Sequence, residues 1–123
     1  MTELPRTVTL PTHDAGDVTL PEPAWCNGHE AAVPQYRADL THYGPEQTLA
    51  FREQPVLTVL LAQAPCSETV PHVTGLYVEL HQVMVTLDPA GVDELAATLV
   101  EHAAVLRSWA RVLASTIAGE ARR

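Results

Sequence analysis

The stretch from Asp88 to Ala118 constrains this chain most, because it reads as one long helix to which everything else must be fitted. Asp88 is a good N-cap, and Pro89 takes the first helical position, where a missing N–H costs nothing. Asp93 and Glu94 follow in the first turns, favoured by the positive end of the helix dipole. No proline occurs after Pro89, and Gly119, with Arg122 and Arg123 behind it, marks a plausible stop.

Two seams run along that helix. Val92, Leu99, Leu106 and Leu113 recur every seven residues, and Ala96, Ala103, Ala110 and Ile117 repeat four positions later. A large seam beside a small one is the pattern that lets a second helix approach closely. Leu95, His102, Val105, Trp109 and Val112 form a flanking stripe. Together they cover about half the circumference, more than one sheet face usually needs. The arc therefore predicts a homodimer whose interface is Ala96, Leu99, Ala103, Leu106, Ala110 and Leu113, while the flanking stripe covers the chain's own sheet; the alternative is a helix sunk deeply into its own domain. His102 is expected as a packed histidine.

Short strands precede the helix. Thr7–Leu10 and Asp17–Leu20 alternate β-branched and apolar residues around a turn-rich Thr12–Gly16, which predicts an antiparallel hairpin ended by Pro21 and Pro23. Trp25–Pro34 reads as a loop, Ala38–Tyr43 as a strand broken by Gly44-Pro45, and Thr48–Phe51 as a short strand. Arg52 to Pro55 turns the chain into Val56–Gln63, an unbroken apolar run suited to a strand buried on both faces. Pro65–Thr74 is a polar loop. In Gly75–Leu87 the apolar positions change parity, from Leu76, Val78 and Leu80 to Val83, Val85 and Leu87. A hairpin turning at His81-Gln82 would bring all six to one face, and a β-bulge there is the alternative. The layout is α+β: an antiparallel sheet of about five to seven short strands, then one long C-terminal helix. With 123 residues we expect a single domain over 1–123, strands and loops filling 4–87 and the helix 88–118.

The net charge of −8 excludes the basic footprint that nucleic acid or anionic membrane demands. It suits solubility or a basic partner. No stretch is long and apolar enough to span a membrane, and the start, Met1 to Arg6, lacks the basic and apolar segments of a signal peptide. A cytoplasmic location is expected. Two cysteines, Cys26 and Cys66, make no disulfide scaffold.

The candidate site is Trp25-Cys26-Asn27-Gly28-His29 with His42. A two-residue spacing lets a tight loop present Cys26 and His29 to one tetrahedral ion, with Gly28 easing the turn and His42 closing from the next strand. Thiolate and imidazole together favour zinc. A structural zinc needs a fourth ligand, and Asp39, His13, Cys66 and His72 are the offers. Without metal, Cys26 is a small hydrophobe beside Trp25.

The text Pro21 to His29, then Ala38-Asp39-Leu40-Thr41-His42-Tyr43-Gly44-Pro45, then Leu87 to Leu95 resembles a family of small uncharacterised actinobacterial proteins, numerous in Streptomyces, that carry a domain of unknown function. The resemblance spans nearly the whole chain, and its Trp-Cys…His…His pattern falls on Trp25, Cys26, His29 and His42. It implies one domain and no known activity.

No nucleophile elbow, phosphate loop or HExxH motif is present. The expectation is a non-enzymatic binding or regulatory protein, dimeric, with a candidate structural zinc. The partner is an unnamed protein or small molecule. The alternative is a small enzyme using Cys26, His29 and His42, through a metal-bound water or with Cys26 as nucleophile.

Overall fold

A computed structural model describes residues 6–30 and 32–122. Leu4 and Pro5, where the strand region was expected to begin, lie outside the described residues. The elements are β1 (Arg6–Pro11), β2 (Asp17–Glu22), a 3-10 turn (Arg37–Asp39), β3 (His42–Tyr43), β4 (Gln47–Phe51), β5 (Gln54–Gln63), β6 (Gly75–Leu80) and α1 (Pro89–Ala121). Antiparallel strands followed by one long helix make the α+β arrangement expected from the sequence. The chain divides into two units, Met1–Pro45 with Leu61–Gly75 and Glu46–Leu60 with Leu76–Arg123. No helix among the described residues is long and apolar enough to cross a membrane.

In the first unit β1 and β2 pair antiparallel, with Val8 opposite Leu20 and Leu10 opposite Val18. That register puts the four apolar side chains on one face. Leu10 and Leu20 are buried with Leu40 and Cys66, and Val8 and Val18 pack against them. Thr12 closes the turn: its hydroxyl donates to the Gly16 carbonyl at 2.6 Å and accepts from the Ala15 N–H at 2.8 Å. Gly16 there has a φ of 63°, which glycine adopts without strain. Pro21 does not end β2, as the sequence suggested. The strand runs one residue further, to Glu22.

The strand expected over Ala38–Tyr43 is only its last two residues. Asp14 accepts a hydrogen bond from the Arg37 N–H at 2.8 Å, and Asp39 N donates to the Tyr36 carbonyl at 2.9 Å. Those contacts wind Arg37–Asp39 into a 3-10 turn, and pairing starts at His42 and Tyr43, opposite Gln63 and Ala62 of β5.

In the second unit β4 and β5 form a hairpin across Arg52 and Glu53, whose φ values of 48° and 70° match a primed two-residue turn without glycine. Leu57 to Leu60 are all buried, as a strand covered on both faces requires. Asp88 caps α1, its side chain accepting from Gly91 N–H at 2.7 Å. The helix passes through Gly119 rather than stopping there. Val105, Leu106 and Trp109 pack on Leu49, Leu57 and Val59. His102 is buried, with Nε2 3.2 Å from the Ala50 carbonyl, and Trp109 Nε1 donates to Gln47 Oε1 at 2.8 Å. Arg52 reaches Glu94 on the first turns of α1, its Nε donating at 3.0 Å.

The hairpin expected at His81-Gln82 does not form, nor does the bulge. β6 ends at Leu80 and pairs β5, and residues 81–88 are irregular. His81 is held by β5: its backbone N–H donates to the Val56 carbonyl at 2.8 Å, and its ring lies 2.8 Å from Thr58 Oγ1. His-Gln lacks the backbone freedom a tight turn demands, so the parity change marks the end of a strand.

Candidate metal centre

The site is built where β2, the following loop and β3 meet within the first unit. Side chains two apart on a strand share a face, so Glu22 lies on the same side as buried Leu20. The chain then turns: Cys26 N–H donates to the Pro23 carbonyl at 3.0 Å, and Arg6 donates to the carbonyls of Pro23 and Ala24 at 3.1 and 3.3 Å. Asn27 N–H donates to the Tyr43 carbonyl at 2.8 Å and ties the loop to β3. Gly28 has a φ of 94°, a conformation other residues adopt only with strain, and it turns His29 back toward Cys26. Gly44 just past β3 is equally specific: a Cβ there would sit 3.3 Å from the Trp25 carbonyl and 3.4 Å from its ring. Trp25 thus rests on a residue with no side chain.

His29 Nε2 is the hub. It lies 3.5 Å from Cys26 Sγ, 3.3 Å from His42 Nδ1 and 3.7 Å from Glu22 Oε1. One donor atom from each of the four residues falls within 4.8 Å of the others, a group that could hold a metal ion. The edges of a tetrahedron around zinc, from Zn–N of about 2.0–2.1 Å and Zn–S of about 2.3 Å, come to roughly 3.3–3.6 Å. The three hub distances scatter around that range. His42 is 1% exposed, and its Nε2 is buried with no hydrogen-bond partner among the described residues. Burial, then the neighbouring His29, lowers the His42 pKa below its ordinary value, with Glu22 opposing. The ring is therefore neutral at neutral pH, and a neutral imidazole carries one nitrogen lone pair that could bind a cation. Burial raises the Cys26 pKa, and the Glu22 carboxylate adds to the rise, while the Gly28 and Tyr43 backbones oppose it. In the metal-free chain Cys26 is a thiol, so a metal must displace its proton.

The structure brings together the three residues singled out in the sequence and supplies a fourth, Glu22, that was not among them. None of the four offered ligands joins the group. Cys66 is in the leucine core, His72 Nε2 lies 2.6 Å from the Ser67 carbonyl, His13 lies against Tyr36 with the rings tilted, and Asp39 belongs to the 3-10 turn. The signal for Glu22 was its parity with Val18 and Leu20, hidden by reading Pro21 as the strand's end. A cleft of about 220 Å³ opens beside the group, with His29, Thr41 and Tyr43 in its wall.

The residues expected at a dimer interface lie along α1 in mixed surroundings. Ala96, Leu99 and Ala110 are exposed, Ala103 and Leu113 are half-buried, and Leu106 touches the core of its own unit.

No curated protein and no solved structure matches the chain. The model of one family, a domain of unknown function (DUF6907), matches residues 7–115, which takes in all four residues of the cluster and most of α1. A match over that much of its length places the chain in this DUF6907 family, to which it belongs.

Proposed function

We propose that the chain is a small non-enzymatic binding or regulatory protein, dimeric and cytoplasmic, whose first unit is stiffened by one zinc ion held by Glu22, Cys26, His29 and His42. The observation that carries this reading is the convergence of four donor atoms within 4.8 Å of one another. A thiolate, two imidazoles and a carboxylate suit zinc better than a hard cation such as calcium. Four protein ligands complete a tetrahedron and leave no position for a reactive water, as in structural zinc sites. The ion would cross-link β2, the Cys26 loop and β3, a part of the chain whose apolar core is small. A reducing cytoplasm keeps Cys26 available as a ligand. Cobalt titration of the chelator-stripped protein tests it: one equivalent should give the visible bands of tetrahedral cobalt with a thiolate charge-transfer band, and octahedral, thiolate-free spectra would refute it.

A second reading follows from the cleft beside His29. If Glu22 yields its position to water, the same ion becomes a hydrolytic centre facing that cleft, with Cys26, His29 and His42 as its three ligands. Glu22→Ala separates the two. A structural site should then bind metal more weakly, whereas a hydrolytic one should keep both its metal affinity and its exchangeable water.

A further inference from the structure

The outer face of α1 is apolar where nothing in its own unit covers it. Val92 is 54%, Leu99 47% and Val100 71% exposed. Alanine on a wet helix face needs no explanation, since it is the best helix former. Valine does, because β-branched side chains are stiff in helices and gain nothing there without packing. The exposed residues lie beside the alanine seam, on the side away from Val105 and Trp109, which pack on the sheet. We infer that this face docks a second copy of itself, with the two α1 helices antiparallel about a two-fold axis at the level of Val100 and Glu101.

The inference rests on the dimeric reading above and adds the contact surface and its direction. A parallel pair in register would stack alanine on alanine and leucine on leucine. Successive layers would then demand two different spacings between the same helix axes. An antiparallel pair sets small residues against large ones. Ala103 meets the partner's Leu99 and Ala110 the partner's Val92, each layer occurring twice about the axis, so these layers have nearly the same volume. The charges fit the same register. It places Asp93 of one helix beside Arg107 of the other, twice, flanking the two Val100 side chains at the axis. Asp93 and Arg107 are both exposed, and neither is in an ion pair among the described residues. Opposite charges meeting across a closed two-fold interface fix direction more than affinity.

Cysteine cross-linking of the full chain under mild oxidation tests the arrangement, with linked peptides identified by mass spectrometry. Val92→Cys/Ala110→Cys should give a 92–110 link between chains, since the two positions face each other across the axis. Ala110→Cys alone should give no 110–110 link, because the two copies would stand roughly 27 Å apart, far beyond disulfide reach. A 110–110 link would mean a parallel pair and overturn the inference. A dimer by sedimentation with no link through α1 in any variant would place the interface elsewhere, leaving the dimer intact and this inference refuted. A clean monomer would remove both. Asp93→Arg should weaken association about tenfold, with Arg107→Asp in the same chain restoring it. A double variant no tighter than the single would refute the pairing of those charges.

Discussion

His42 Nδ1 stands 3.3 Å from His29 Nε2, with His42 buried and His29 at the edge of a cleft. The two rings, thirteen residues apart in sequence, meet edge to face with a thiol and a carboxylate beside them, a group that could hold a metal ion. The zinc proposed above would draw on all four.

If that cation is structural, removing a ligand removes folding free energy. Cys26→Ser should lower zinc affinity by at least about a hundredfold and destabilise the first unit strongly, because metal binding is linked to folding. Glu22→Gln should weaken binding by about tenfold while keeping the side chain's size. Competition with a chromophoric chelator measures both. Equal affinity for the wild type and Cys26→Ser would remove the thiolate from the site.

The metal-free protein should show a stability maximum bounded by two site residues. His42 has a pKa below its ordinary 6.5, so its contribution is complete above 6.5 and is lost as pH falls through the lowered native value. Cys26 has a pKa above its ordinary 9.0, so its contribution is complete below 9.0 and is lost as pH rises through the native value. Urea melts in chelator across the pH range should therefore decline at both ends. With metal bound the alkaline decline should vanish, since the thiolate is then the ligand. A flat profile in chelator would contradict the burial of both groups.

Much of this architecture was legible in the chain because local chemistry and long-range packing agree. Asp88-Pro89 begins α1 in both, and the parity of Val8, Leu10, Val18 and Leu20 decides the register of the first hairpin. Cys26, His29 and His42 were readable as ligands from spacing and residue type. What was not legible depends on partners distant in sequence. Asp14 holds Arg37 and winds a turn where a strand was expected, and Thr58 with Val56 holds His81 where a hairpin was expected. Glu22 was missed because proline usually ends a paired strand, whereas Pro21 sits within β2 opposite Thr7.

The two faces of α1 should separate in mutagenesis. Leu106 packs against Leu49, Leu57 and Val59, so Leu106→Ala should cost about 2 kcal/mol of stability. Leu99 is 47% exposed, so Leu99→Ala should change stability per chain by less than about 0.5 kcal/mol while weakening self-association. Denaturation at low concentration and sedimentation at high concentration read the two effects apart. A large loss from Leu99→Ala in the monomer would place that side chain in the chain's own core.

The start of α1 should be sensitive to its cap. Asp88→Ala removes the acceptor for Gly91 N–H and should cost about 1 kcal/mol, with Asp88→Asn recovering most of it. Thermal melts of the three proteins decide it, and an unchanged midpoint for Asp88→Ala would show that the cap contributes nothing.

The most direct measurement is the metal content of the protein purified without chelator, by elemental analysis against an accurate chain concentration. About one zinc per chain is expected, lost in a protein carrying both Cys26→Ser and His42→Ala. Wild-type protein free of metal, and unable to take up zinc when offered a stoichiometric amount, would contradict it.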